Sequence, residues 1–152
     1  MYRLCLRRDE IRRKLTLAQK WVIALGLLTL MLGLGNLGGA LMALRYAASL
    51  PDLPLTASLN YLAAMGGFWF VVFVVCAIGL VCFRVWGRRS ALAAVTLYQT
   101  HVWINHFLFD ASDYARQTRP RDLLLTLLLL ALFWGSLSLR GIRRTFVKEN
   151  EI

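Results

Sequence analysis

The sequence predicts an all-α integral membrane protein: a four-helix bundle preceded by an amphipathic helix on the membrane surface. Three observations predict it. Hydrophobic residues make up 59% of the 152 and charged residues only 17%, whereas a soluble domain carries about a quarter charged residues. The uncharged residues fall into four long runs, at about 21–44, 57–83, 90–109 and 123–139, each long enough for a helix to cross hydrocarbon. Most of the 18 Lys and Arg sit in short blocks between and beside those runs. The net charge of +10 therefore reads as basic flanks facing a bilayer with an anionic inner leaflet, and no nucleic-acid partner is expected.

Residues 1–20 carry Arg3, Arg7, Arg8, Arg12, Arg13, Lys14 and Lys20, with Leu4, Ile11 and Leu15 on one helical face. That pattern suits a basic amphipathic helix lying on the cytoplasmic surface; a disordered basic tail is the alternative. A secretory leader fits poorly, because the apolar run that follows exceeds the usual length of a leader's core.

The first span opens at Trp21, where an indole favours the interface. Gly35, Gly39, Ala43 and Ala47 recur every four residues along it, and such small-residue stripes let helices approach closely. Packing within the chain is the first expectation for this stripe, and self-association the second. Asn36, beside it, needs an interhelical hydrogen bond, because an unpaired amide in lipid is costly. Residues 45–58 form the first outer loop, punctuated by Pro51 and Pro54. The second span lies within an uncharged run of 29 residues, 55–83. It is long enough to tilt or to begin in the headgroups at Asn60 and Tyr61. Its aromatic and β-branched stretch would suggest a strand in water, but an isolated strand cannot satisfy its backbone in lipid, so a helix is expected.

Arg84, Gly87, Arg88 and Arg89 mark an inner turn before the third span. Residues 110–121 form the second outer loop, where Pro120 limits helix continuity. The fourth span, leucine-rich, is the least specialised, and residues 140–152 form a basic tail with Arg140, Arg143, Arg144 and Lys148. With both ends inside, inner segments hold 14 Lys and Arg and outer segments four. This asymmetry predicts a multi-pass plasma (inner) membrane protein with both termini cytoplasmic. An excess of Arg over Lys, with only Lys14, Lys20 and Lys148 present, suggests a GC-rich bacterial genome. Cys5, Cys76 and Cys82 lack metal-ligand spacing and imply neither a disulfide framework nor a cofactor.

Functional chemistry concentrates in the third span and the loop after it. Gln99, His106, Asp110, Asp113 and Gln117 share one helical face if that helix continues past the membrane surface. Tyr98, His101 and Asn105 form an adjacent strip, and Val95, Val102 and Phe109 are expected on the opposite, apolar side. Polar side chains at membrane depth face protein or water rather than lipid, so this side should point into the bundle or toward a partner.

Three readings follow. Structurally, the polar groups tie the third helix to its neighbours or to another subunit. Chemically, His106, Asp110 and Asp113 place an imidazole and two carboxylates together, which could hold a divalent ion or act on a lipid headgroup. As a conduit, Gln99, His101, Asn105 and His106 could relay protons or bind a small substrate. Haem ligation does not fit, since His101 and His106 stand about 140° apart around one helix. The first reading is preferred. It makes the chain a non-enzymatic accessory or assembly subunit of a larger membrane complex, without a cofactor. Its interaction residues would be Gln99, His101, Asn105, His106, Asp110 and Asp113, with Gly35 and Gly39. Its partners would be other membrane subunits or a second copy of itself.

Overall fold

A computed structural model of the chain describes residues 16–49, 58–109 and 113–146. These form five helices: α1 (Leu17–Ser49), α2 (Leu59–Val81), α3 (Val85–Phe109), α4 (Asp113–Ser138) and the short α5 (Arg140–Arg143). The described residues contain no β-strand. The amphipathic segment expected over 1–20 lies outside the described residues except for its last five.

Those last residues belong to the start of α1. The Gln19 amide donates to Thr16 Oγ1 at 3.3 Å and the Thr16 amide donates to Gln19 Oε1 at 2.9 Å. This reciprocal box satisfies two of the amides that a helix start leaves without partners. From there α1 runs 33 residues, about 50 Å at 1.5 Å per residue. It exceeds the hydrocarbon thickness of about 30 Å, so it extends past the expected boundaries at both ends.

Antiparallel pairing of α1 with α2 is the most extensive contact between elements. Along α1 the seam follows a heptad rhythm: Val22, Gly26, Thr29, Gly33, Asn36, Ala40 and Ala43. All but the partly buried Asn36 are buried. Ala63, Gly66, Phe70, Phe73, Ala77 and Leu80 answer them on α2, the pattern of knobs entering holes. Small residues every seven positions bring the backbones close. A Cβ added to Gly26 would lie 2.9 Å from Val81 Cγ2, and one on Gly33 would lie 3.2 Å from Phe73 Cβ. One on Gly66 would lie 2.8 Å from the Asn36 carbonyl oxygen. The buried Thr29 hydroxyl donates back to the Leu25 carbonyl at 2.7 Å, so the seam carries no unpaired hydroxyl there.

The turn between α2 and α3 occupies only residues 82–84. Phe83 holds φ at 54°, a left-handed conformation that is costly for a bulky side chain. Its amide donates to the Leu80 carbonyl and the Arg84 amide to the Gly79 carbonyl, both at 3.0 Å. Those two bonds close a Schellman cap, with phenylalanine in the position that glycine usually fills. The corner is tight enough for backbone to meet backbone: a Cβ on Gly79 would stand 2.6 Å from Gly87 Cα. Phe83 packs against the core as part compensation.

Three helices are long and apolar enough to cross a membrane: Leu17–Ser49, Leu59–Val81 and Arg119–Ser138. The expected third span is a helix, but α3 is not among them. Arg88 and Arg89 at its start, and Gln99, His101, Asn105 and His106 along it, dilute its apolar character. Pro120 lies inside α4 rather than ending it. A proline interrupts one rung of the ladder, and here it does so ahead of the leucine-rich stretch. The loop expected over 110–121 is therefore helical from Asp113 onward. Beyond α4, Ile142 and Phe146 are buried in the same core cluster as Val22 and Leu80, so the start of the expected tail is a packed turn.

The corner yields a direct test. Gly87→Ala should lower stability by about 1–3 kcal/mol through overpacking against the opposite backbone. Gly135→Ala, with nothing within 4 Å of the added methyl, should be neutral or slightly stabilising because alanine favours helix. Unfolding in detergent followed by circular dichroism measures both, and equal stabilities would contradict the described corner.

Candidate functional site

Two polar strips run along α3, each answered by a different neighbour. Tyr98, His101 and Asn105 face α1 and α2. The Trp69 indole Nε1 donates to His101 Nδ1 at 3.2 Å. An indole nitrogen can only donate, so Nδ1 accepts, and the neutral ring carries its proton on Nε2. Nε2 stands 3.1 Å from the Tyr61 hydroxyl, which in turn donates to Asn105 Oδ1 at 3.1 Å. The chain Trp69 to His101 to Tyr61 to Asn105 thus has a single direction, every proton having an acceptor. In that tautomer the Asn105 amide nitrogen, 3.3 Å from His101 Nε2, faces a second donor and makes no hydrogen bond with it. Rings brace the cluster: Trp69 meets Tyr98 edge-on at 5.2 Å between centroids, and Phe73 meets Tyr98 at 5.1 Å, both favoured aromatic geometries.

Asn36 reaches this cluster from α1. Its amide nitrogen donates to the Leu32 carbonyl at 2.8 Å and to the Tyr98 hydroxyl at 3.3 Å. The interhelical bond expected of Asn36 is thereby made. No described residue donates to the Asn36 side-chain carbonyl, and none accepts the Tyr98 hydroxyl proton. Both residues line a cleft of about 500 Å³ between α1, α2 and α3, together with His101, Asn105, Gly35 and Gly39.

The glycines correct one expectation. Gly35 and Gly39 do not pack against the described residues: among these, a Cβ at either would meet nothing within 4 Å. The intrachain seam takes the heptad set Gly26, Gly33 and Ala40 instead. Two positions along a helix rotate the side chain by about 200°, so Gly35 points well away from the face that Gly33 buries.

The second strip faces α4. Thr126, buried in the leucine run, donates to Gln99 Oε1 at 3.0 Å and accepts from Trp103 Nε1 at 3.2 Å. Nearer the lower part of the pair, Trp134 Nε1 donates to Thr96 Oγ1 at 3.2 Å. His106 lies 5.7 Å from the Trp103 ring, centroid to centroid. It lines a second cleft, of about 400 Å³, with Gln99, Asp122 and Thr126. Arg119 sits over the Phe107 ring at 5.8 Å, and Arg121 pairs with Asp122 at 3.2 Å.

The face expected of Gln99, His106, Asp110, Asp113 and Gln117 lies partly outside the described residues. Gln99 and His106 lie on α3, described to Phe109, and Asp113 and Gln117 on α4, described from Asp113, with residues 110–112 between them outside the described residues. Asp110 and the side chains of Asp113 and Gln117 lie outside the described residues. Among the described residues, no three His, Cys, Asp or Glu side chains gather as a metal site requires. Val95 and Val102 are not on an outward side either. Val95 is fully buried and Val102 lines both clefts. At 100° per residue they stand within about 60° of Gln99, between the two strips. The outward edge of α3 is Leu97, Ile104 and Phe107.

Trp69, Thr126 and Asp122 belong to these networks and were not singled out by the sequence, and Tyr61 was expected only at the headgroup boundary. Trp69 and Thr126 carried a usable signal, since an indole or a hydroxyl inside an apolar run needs a partner at depth. No family model, no curated protein and no solved structure matches this chain.

In a 15N-labelled sample, His101 should show an unprotonated Nδ1 and a protonated Nε2. Trp69→Phe removes the donor to Nδ1 and should shift the ring toward a tautomer mixture, with a stability loss of about 0.6 to 1.7 kcal/mol. A protonated Nδ1 in the parent protein would contradict the direction assigned to the chain of bonds.

Proposed function

We propose that this protein is a non-enzymatic accessory or assembly subunit of a larger membrane complex, and that a transmembrane helix of a partner subunit seats in the cleft between α1, α2 and α3. The carrying observation is the open space over Gly35 and Gly39 beside Asn36. Exposed glycines let a second backbone approach closely, and a partner side chain could donate to the Asn36 carbonyl or accept from Tyr98. Such a bond favours a partner with a hydroxyl or amide group at that depth, because unpaired polar groups in hydrocarbon are costly.

In this reading α3 also crosses the bilayer, giving a four-helix bundle of four passes. Its 25 residues span about 37 Å, and its imidazoles and amides meet α1, α2 and α4 instead of lipid. The basic blocks then place both termini on the cytoplasmic side of the plasma membrane. Residues 110–122 would add an outer contact. The alternative is a headgroup enzyme or metal site built on His106, Asp110 and Asp113.

Cross-linking in the native membrane, followed by purification in mild detergent, tests the proposal. The chain should co-purify with a membrane partner. Gly35→Leu with Gly39→Leu should reduce that recovery about 10-fold, the equivalent of roughly 1.4 kcal/mol, while leaving the chain's own yield and melting unchanged. A monodisperse monomer without a partner, or full recovery in the double variant, would overturn it. His106→Ala provides a further contrast: lower abundance of the complex fits the accessory role, whereas preserved abundance with a lost activity fits the enzyme.

A further inference from the structure

We infer that the arginines gathered where the α2–α3 corner meets the α4–α5 end form a binding site for the phosphate of an anionic membrane lipid. This inference is independent of the accessory-subunit reading. Two segments far apart in sequence converge here. Arg88 Nη1 donates to the Leu137 carbonyl at 3.2 Å, joining the start of α3 to the last turn of α4. Ile142 and Phe146, only 6% and 8% exposed, pin the following turn into the core. Arg140, Arg143 and Arg144 are therefore held on a packed turn. Arg89 and Arg143 lie close enough to Arg88 to act on its charge.

This gathering of like charges has no answer within the described protein. Arg89, Arg140, Arg143 and Arg144 are exposed, and among the described residues none of them has a carboxylate partner. Packing forces that draw cations together leave a site whose repulsion an anion would relieve. Guanidinium groups suit phosphate in particular, since their planar forks can bond two oxygens at once. Location selects the source of the phosphate. The cluster lies at the ends of the apolar helices α2 and α4, the level at which lipid headgroups would stand. Trp86, 40% exposed, follows the same corner, and an exposed indole favours that interface. Scattered topology-setting arginines would not need a guanidinium bonded to another helix's carbonyl or a buried turn beneath them.

The test uses the full chain in nanodiscs containing equal parts phosphatidylglycerol and phosphatidylcholine, followed by detergent exchange and quantification of retained lipid. The parent should retain phosphatidylglycerol preferentially, and raising the salt concentration should weaken the preference. R89Q/R143Q/R144Q should reduce retained phosphatidylglycerol about 10-fold, with helicity unchanged. R45Q, at the opposite end of α1, should retain as much as the parent. Equal retention of both lipids by the parent overturns the inference without any variant. So does a triple variant that retains as much as the parent, or an equal loss in R45Q. Displacement of the lipid by millimolar inorganic phosphate would also overturn it, by marking a site for a soluble anion.

Discussion

The close seam between α1 and α2 is the constraint on which the rest depends. Glycine or alanine at every seventh position of α1 brings the two backbones together at Gly26, Gly33 and Ala40. In lipid there is little hydrophobic gain from joining two apolar helices, so contact of this kind supplies the attraction. Committing that face of α1 to α2 leaves the adjacent face, with Gly35 and Gly39, uncovered. The Gly79–Gly87 corner then turns the chain so sharply that α3 must lie against α2, and Tyr98 and His101 come to rest on Trp69.

Polar groups follow from that geometry rather than directing it. A hydrogen bond between membrane helices contributes on average only about 0.6 kcal/mol. The Trp69–His101–Tyr61–Asn105 chain and the Gln99–Thr126–Trp103 group are therefore better understood as fixing rotation and register than as holding the bundle together. They differ in consequence. On the α4 side Thr126 joins Trp103 to Gln99, while the α1 side ends on an Asn36 side-chain carbonyl and a Tyr98 hydroxyl beside an open cleft. That unfinished end is what distinguishes the cleft from ordinary packing.

Much of the helical plan was legible, because uncharged runs of about 20 residues have few alternatives in hydrocarbon. The T-x-x-Q start at Thr16 was equally available to sequence reasoning. The seam was not found, because glycine spacing of four at Gly35 and Gly39 is more conspicuous than spacing of seven at Gly26 and Gly33, and both are compatible with packing. The outward side of α3 was misplaced for a simple geometric reason: Val95 and Val102 flank Gln99 around the helix instead of opposing it. Two features had no local signal. A phenylalanine in the left-handed region at Phe83 runs against backbone preference, and its core packing together with the Gly79–Gly87 contact on the far side of the turn accounts for it. Burial of Ile142 and Phe146 depends on where α4 delivers the chain, not on the basic residues around them.

Spin-label mobility at Gly35, compared between native membranes and the purified chain in lipid, tests the central claim most directly. A covered cleft predicts a label strongly immobilised in the native membrane and freely mobile once the chain is alone. Equal, lipid-like mobility in both settings would mean that no partner occupies the face the α1–α2 seam leaves open.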